Sequence, residues 1–193
     1  MAAHERAEVE AAFRHYFLTG PVLEDWVAWS ELFADDAVYY DHFYGRFTGP
    51  DEIRTFLEST MGYAPHVYSP LEWCNIDGDH IVYKVWNKAD NPDPNGPPAQ
   101  FPSLQVIRYA GDGKWASEED WWIMKEMKKF NADYEEMCTA AGKPDFKHEM
   151  SRRDWGTIDW ARPPAGHQPA PSWTDGKTRL VTSIKEMDFG ERA

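Results

Sequence analysis

The sequence predicts an α+β fold in which N-terminal helices pack on one face of a mostly antiparallel sheet. Three observations predict it. Apolar residues recur at helical spacing up to Gly62, and beyond it the period changes to strand-like alternation. Two tight-turn sequences, Asp77-Gly78-Asp79 and Gly111-Asp112-Gly113, separate alternating segments and mark hairpins. Helical spacing returns at 125–141, after which the chain becomes Pro-rich.

Residues 4–18 read as a helix, with Val9, Ala12, Phe13, Tyr16 and Phe17 on one stripe and Gly20-Pro21 as the stop. Residues 23–34 read as a second helix, striped by Trp26, Trp29, Leu32 and Phe33 and closed by Asp35-Asp36. A strand over 37–44 follows, ended by Gly45. Gly49-Pro50-Asp51 opens a third helix, because the fixed φ of proline suits a first turn, and Ile53, Phe56 and Leu57 form its apolar side. Residues 66–75 and 80–88 are strands around the first hairpin turn. Residues 89–99 carry four prolines and read as an exposed loop. Residues 104–109 and 115–124 are strands around the second hairpin turn, and 125–141 is the last helix. The chain divides into a domain at 1–141 and an extension at 142–193, in which only 178–189 has the pattern of a further element. The extension carries Trp155, Trp160 and Trp173. Indoles are costly to leave in water, so it is expected to wrap the domain or a partner subunit.

Asp and Glu number 33 against 20 Lys and Arg, a net charge of −13, which argues against nucleic acid and anionic membranes as partners. No apolar run approaches the ~20 residues of a membrane span, and the N-terminus lacks a signal-peptide core. Cys74 and Cys138 stand in no metal-ligand or CxxC pattern and read as reduced thiols of a cytoplasmic protein. Nucleotide-loop, nucleophile-elbow and HExxH motifs are absent, so neither cofactor nor metal is expected. Aromatic residues make up 15% of the chain, enough to fill a core and also line a pocket for a small, apolar, ring-shaped molecule.

Two carboxylates stand out. In the first strand Tyr39, Asp41 and Phe43 share a face. Asp41 among these rings is either a partly desolvated base or a strand-end residue bonded to the next loop. In the last strand Glu118, Asp120 and Trp122 share a face, opposite Glu119 and Trp121. Asp120 reads either as an acid–base group or as an ion-pair partner of Arg108 or Lys84. His66, opening a long strand, is of the type most readily tuned for proton transfer near neutral pH. His42 faces away from Asp41, His80 follows a turn, and His148 and His167 lie in the extension. Tyr39, Asn87, Trp122 and Phe43 are expected to shape the pocket, as is Trp86, although it alternates against Asn87.

The stretch 29–57, with L-F-A-D-D-A-V-Y-Y-D at its centre, resembles the nuclear transport factor 2-like superfamily and within it the SnoaL-like polyketide cyclase and ketosteroid isomerase branch. I-D-G-D-H-I-V-Y-K-V-W and Y-A-G-D-G-K-W-A-S-E-E-D-W-W resemble its later strands, so the likeness covers about residues 4–140. It implies a cone of helices and curved sheet around a pocket. In ketosteroid isomerases a general-base Asp falls where Asp41 stands, and a first-helix Tyr that donates to the enolate oxygen matches Tyr16. Their second donor, a protonated Asp, is replaced here by Gln105, whose amide N–H can also donate. In limonene epoxide hydrolases the acid follows the hairpin glycine at the distance of Asp120 from Gly113. Their Arg and Asp on the preceding hairpin are replaced by Val85 and Asn87. Dehydratases of the superfamily place a catalytic His near His66, though the acidic residue nearest their partner position, Asp25, also suits a helix start.

These readings lead to the expectation of a cofactor-free isomerase, cyclase or dehydratase that transfers a proton on a small apolar carbonyl compound. Asp41 is the base, Asp120 a second acid–base group, Tyr16 and Gln105 are donors, and His66 is an acid. A non-catalytic binding or oligomerisation module of the same fold remains open, with epoxide hydrolysis a minor alternative. Superfamily members commonly pair through the outer sheet face, which here carries Trp121, so a homodimer is expected.

Overall fold

The computed structural model describes residues 4–146 and 153–166. Helix α1 (Arg6–Phe17) buries Val9, Phe13, Tyr16 and Phe17, the predicted stripe. It runs into a π-helical turn at Leu18–Val22 that contains Pro21. Gly20 in this turn is dictated by packing: a Cβ there would lie 2.4 Å from the Trp29 ring. Helix α2 (Trp26–Ser30) is capped by Asp25, which accepts the Ala28 N–H at 3.0 Å.

The expected second helix therefore ends early, and Phe33–Asp41 forms strand β1 instead. The reason is tertiary. β1 pairs in parallel with β6 (Lys114–Trp122), with Phe33 opposite Trp115, and Trp115 N–H donates to the Leu32 carbonyl at 2.8 Å. A register shift between Phe33 and Val38 accommodates the exposed Asp35-Asp36 pair. Strand β2 (Gly45–Thr48) returns antiparallel to β1. Helix α3 (Gly49–Tyr63) then starts with Pro50 in its first turn, where Glu52 accepts the Thr48 N–H at 2.8 Å.

Strands β3 (Leu71–Asp77), β4 (His80–Ala89) and β5 (Ala99–Gly111) complete a six-stranded sheet of order β2-β1-β6-β5-β4-β3, in which only β1 and β6 run parallel. β3 begins after Pro70, later than the expected 66, and Tyr68 makes only an isolated bridge to Lys88. β5 begins earlier than expected and tolerates Pro102. Trp86, opposite Pro102, directs its N–H to the Pro70 carbonyl on the other side, so Pro102 sits at a non-bonded pair with β4. Its nitrogen faces the β6 side, where pairing ends at Ser103, and no ladder bond is lost. Helix α4 (Met124–Ala140) follows β6.

The helices α1 to α3 and the inner sheet face enclose the main apolar cluster, while α4 packs on a smaller one around Ala89, Ala99 and Phe130. No helix among the described residues is long and apolar enough to cross a membrane. Cys74 is exposed and Cys138 buried.

Residues 153–166 dock on this same domain. Trp155 and Ala161 enter the main cluster. Trp160 lies edge-on to Phe13 and Phe17 at 5.7 and 5.8 Å, with the Arg14 guanidinium 5.5 Å from its ring. Arg153 pairs with the buried Glu24 and donates from its backbone to Asp90 Oδ2 at 2.7 Å. Tyr68 bridges the cluster, giving its O–H to Asp90 Oδ1 and accepting the Asp154 N–H. Trp173, His148, His167 and the stretch 178–189 lie outside the described residues.

Removing Arg153 strands the Glu24 charge. Arg153→Met is expected to destabilise the protein by about 3–5 kcal/mol near pH 8. Burial raises the Glu24 pKa to about 7 even against the pull of Arg153. Arg153 holds that value down, so in the variant Glu24 takes up its proton above pH 7, and the loss shrinks as pH falls toward 7 and levels off below it. Urea unfolding on both sides of neutrality checks the difference.

Candidate functional site

A cavity of about 210 Å³ lies between the inner sheet face, the second half of α3 and the first half of α4. Its floor is polar and its sides are largely aromatic. The floor follows directly from strand register: Asp41 on β1 is the Cα partner of Asp120 on β6, and Asp120 is the partner of Gln105 on β5. Neighbouring strands lie about 4.8 Å apart, so the sheet sets these three side chains in a row, and all three line the cavity. Tyr39, Trp122, Asn87 and Ser103 flank them, while Phe56, Phe101 and Phe130 contribute rings from the sides.

Asp41 takes the place expected of a strand-end residue bonded to the next loop. It is 3% exposed. Oδ1 accepts the backbone N–H groups of Phe43 and Tyr44 at 2.7 and 2.8 Å, closing the turn after β1, and Oδ2 accepts Trp122 Nε1–H at 3.0 Å. The same carboxylate faces the cavity.

Asp120 is held differently. Oδ2 accepts the Tyr39 hydroxyl at 2.5 Å, and the carboxyl also shares a hydrogen bond with the buried carboxyl of Glu118. Burial, and then the neighbouring Asp41 charge, push its pKa up to about 8 against the opposing hydrogen bonds of Tyr39 and Glu118. The ion-pair alternative is not realised with Lys84, which pairs with Glu72 at 2.7 Å.

Behind Asp120 stands Glu118, 3% exposed, accepting the hydroxyls of Tyr16 at 2.5 Å and Tyr83 at 3.3 Å. Burial and the charge of Asp120 raise its pKa well above the ordinary carboxylate range. This is where Tyr16 goes. Its ring packs 4.9 Å from Trp29 and 5.1 Å from Trp115, and its hydroxyl is spent on Glu118, so it supports the site from behind and does not line the cavity.

Three other expected residues lie off the lining. His66 stacks on Tyr134 at 4.4 Å, beneath α4. Trp86 is on the outer face with Lys84, whose ammonium sits 4.7 Å from its ring, because Tyr83, Val85 and Asn87 take the inner positions of β4. Phe43 is 52% exposed, since β1 ends at Asp41 and its alternation does not extend into the turn. His42 faces outward and contacts Glu119 at 2.8 Å. Glu118 and Ser103 were not singled out from sequence. Glu118 was visible on the face of Asp120, whereas Ser103 fell outside the strand predicted to start at 104. Among the described residues no group of three His, Cys, Asp or Glu side chains is placed to hold a metal ion.

The profile of the SnoaL-like domain family matches residues 9–118. The chain belongs to the SnoaL-like family. No curated protein matches it by sequence. Among solved structures, this SnoaL-like protein is similar to an LEH-like epoxide hydrolase from M. tuberculosis, at 18% identity over 71% of this chain and 98% of that one, with a TM-score of 0.53. It is similar to a protein described as a SnoaL-like polyketide cyclase from Jannaschia sp. CCS1, at 16% identity over 67% and 96% of the two chains, with a TM-score of 0.50. It is also similar to TerC, co-crystallised with polyporic acid, at 14% identity over 64% and 97%, with a TM-score of 0.53. At these identities the likeness is one of fold: the nuclear transport factor 2-like cone.

The Asp120 shift has a measurable sign. The folded state holds this proton more tightly than the unfolded chain, so wild-type stability falls as pH rises from about 4 through about 8. Asp120→Asn does not titrate and is expected to gain stability relative to wild type across that window. Denaturant titrations at stepped pH would detect this, and a constant difference would show that Asp120 keeps an ordinary pKa.

Proposed function

We propose that this SnoaL-like protein is a cofactor-free enzyme that moves a proton next to the carbonyl group of a small, neutral, ring-shaped compound. The observation that carries the reading is the Asp41–Asp120–Gln105 row on one cavity wall, with one carboxyl held by N–H donors and the next buried against a second acid, Glu118. The three N–H donors hold the Asp41 carboxyl in place at the cavity wall, where it is the candidate base. Asp120 is protonated near neutral pH and suits an acid whose O–H reaches the carbonyl oxygen as negative charge develops. Gln105 stands beside it as the second group at that oxygen. Isomerisation, cyclisation and dehydration share this step.

The lining also selects by charge and size. Among the described residues no Lys, Arg or His lines the cavity, so a carboxylate or phosphate ligand would meet two acids and no cation there. A cavity near 150 Å³ holds benzene, so this one suits a somewhat larger ring compound. The missing cation likewise speaks against carboxylates bridged by Arg, as epoxide hydrolysis would need. A second reading, a non-catalytic binding module, draws on the Asp41 bonds to Phe43 and Tyr44, which would close the turn without any catalytic role.

Hydrogen–deuterium exchange next to the carbonyl of a panel of cyclic ketones, followed by mass spectrometry in D2O, tests the chemistry before the natural substrate is known. Asp41→Asn and Asp120→Asn are each expected to lower exchange by about 10²–10⁴-fold. Exchange by wild type should fall as pH rises through about 8, where the Asp120 proton is lost. Asp41→Asn also sets an N–H2 group against Trp122, costing about 1–3 kcal/mol, so rates must be compared at equal folded fraction. Loss of stability with exchange retained would favour the binding module.

The same reading includes a cytoplasmic homodimer. Trp73, Lys84, Leu104 and Trp121 are successive Cα partners across β3 to β6 on the outer face, and the three apolar members are 38–49% exposed. Lys84, the one charge in this row, is already paired with Glu72, leaving a patch that a second copy can cover. Sedimentation is expected to give twice the chain mass, and Trp121→Glu the single-chain mass. A wild-type monomer at micromolar concentration would refute the dimer.

A further inference from the structure

Glu118 is a buried acid that the proposed chemistry leaves unused. It lies two residues from Asp120 on the same face of β6, and the two carboxyls share a hydrogen bond. It is 3% exposed and stands one layer behind the cavity lining. The titratable groups that face it are Tyr16 on α1, Tyr39 on β1, Tyr83 on β4 and Asp120 itself, and its Cα partner on β5 is Ile107. None of these is a cation.

A hydrogen bond between two carboxyls needs at least one hydrogen. With no cation at hand, burial and the charge of each acid raise the proton affinity of the other, so near neutral pH the pair holds both protons. Which carboxyl donates in that state does not matter, because the reaction itself sets the direction. Once Asp120 has given its proton to a ligand oxygen it has no hydrogen left. The hydrogen in the shared bond can then belong only to Glu118. A hydrogen bond to a carboxylate is about twice as strong as one between neutral groups, so the contact tightens at the moment charge appears on Asp120. Tyr16 and Tyr83, whose hydroxyls meet Glu118 at 2.5 and 3.3 Å, hold its carboxyl in place for this.

We propose that Glu118 is a positioning residue that keeps its own proton and offers it as a hydrogen bond to Asp120 while Asp120 protonates the substrate oxygen. The step balances within the site. Asp41 takes the proton beside the carbonyl, and the C–H electron pair becomes part of the enol double bond. The carbonyl π pair forms the new O–H bond with the Asp120 proton. Negative charge thus passes from Asp41 to Asp120, where Glu118 and Tyr39 both donate to it. Return of the two protons restores the starting state. The inference rests on the proposed role of Asp120 as the acid, yet the order in which the two acids titrate is independent of any substrate.

Infrared spectra of the full-length protein in D2O separate protonated carboxyls from carboxylates, and variants assign the bands. Asp120→Asn removes one and Glu118→Gln the other. The Asp120 band is expected to fade as pH rises through about 8. The Glu118 band should persist there and move to lower frequency as its bond to the new carboxylate strengthens. A Glu118 band that is absent near neutral pH, or that fades first, would overturn the proposal, whatever the exchange assays show. Glu118→Leu removes the donor and leaves the Tyr16 and Tyr83 hydroxyls, 3.1 Å apart, to bond to each other. In this variant the Asp120 band should survive to higher pH, and ketone exchange should fall about 10–100-fold. Glu118→Gln keeps an N–H donor and should recover most of that rate. An Asp120 titration unchanged in Glu118→Leu would show that Glu118 positions nothing. Absence of ketone exchange together with the expected band order would refute the carbonyl chemistry alone.

Discussion

The parallel pairing of β1 with β6 is the constraint on which the rest of the molecule depends. It joins strands separated by most of the domain sequence, and all the other strand pairs in the sheet are antiparallel. Without it, β6 would present an open edge and β1–β2 would be an isolated hairpin, marginal on its own. Asp41 and Asp120 would then belong to separate surfaces. With it, the inner sheet face becomes continuous, α3 has a floor to cover, and two acids are held one strand spacing apart. Such a pairing must close a long loop before its contacts compensate, so cooperative formation of the entire cone is built into the topology.

That constraint also explains the electrical character of the site. Two carboxyl groups, Asp41 and Asp120, are buried on the cavity wall and a third, Glu118, just behind it, with no cation among the described cavity-lining residues. The chain holds them with neutral donors instead: two turn N–H groups and an indole for Asp41, Tyr39 for Asp120, and Tyr16 and Tyr83 for Glu118. Neutral donors satisfy oxygens without cancelling charge, so burial first, and then the repulsion between neighbouring acids, raises the proton affinity of Asp120 and Glu118. An Arg in their midst would stabilise the fold and remove that affinity. The aromatic richness of the chain thus has two uses, filling the core and supplying hydroxyls and an indole to buried acids.

Local patterns were legible in the sequence and non-local ones were not. The α1 stripe, both hairpins and the final helix follow from spacing and turn chemistry within a few residues. The start of β1 does not, because residues 33–36 continue a helical pattern and are pulled into a strand by Trp115 and its neighbours. The first residues of β5 were hidden by Pro102, harmless only because β6 has already ended alongside it. At the site, strand alternation identified the faces of Asp41, Asp120, Asn87 and Trp122. It could not give depth along the strand. Tyr16 therefore looked like a cavity residue although α1 sets it one layer behind, and Glu118 was passed over although it anchors that layer.

The clasp between Glu24 and Arg153 bears on how the chain is made. Glu24 is synthesised early, and the partner that neutralises it in the core lies 129 residues further on. Trp155, which fills part of the same main cluster, emerges later still. A nascent chain that has completed every helix and strand of the cone therefore still carries an uncompensated acid and an unfilled core position. Residues 153–166, translated after the strands they close upon, act as the keystone of the main cluster.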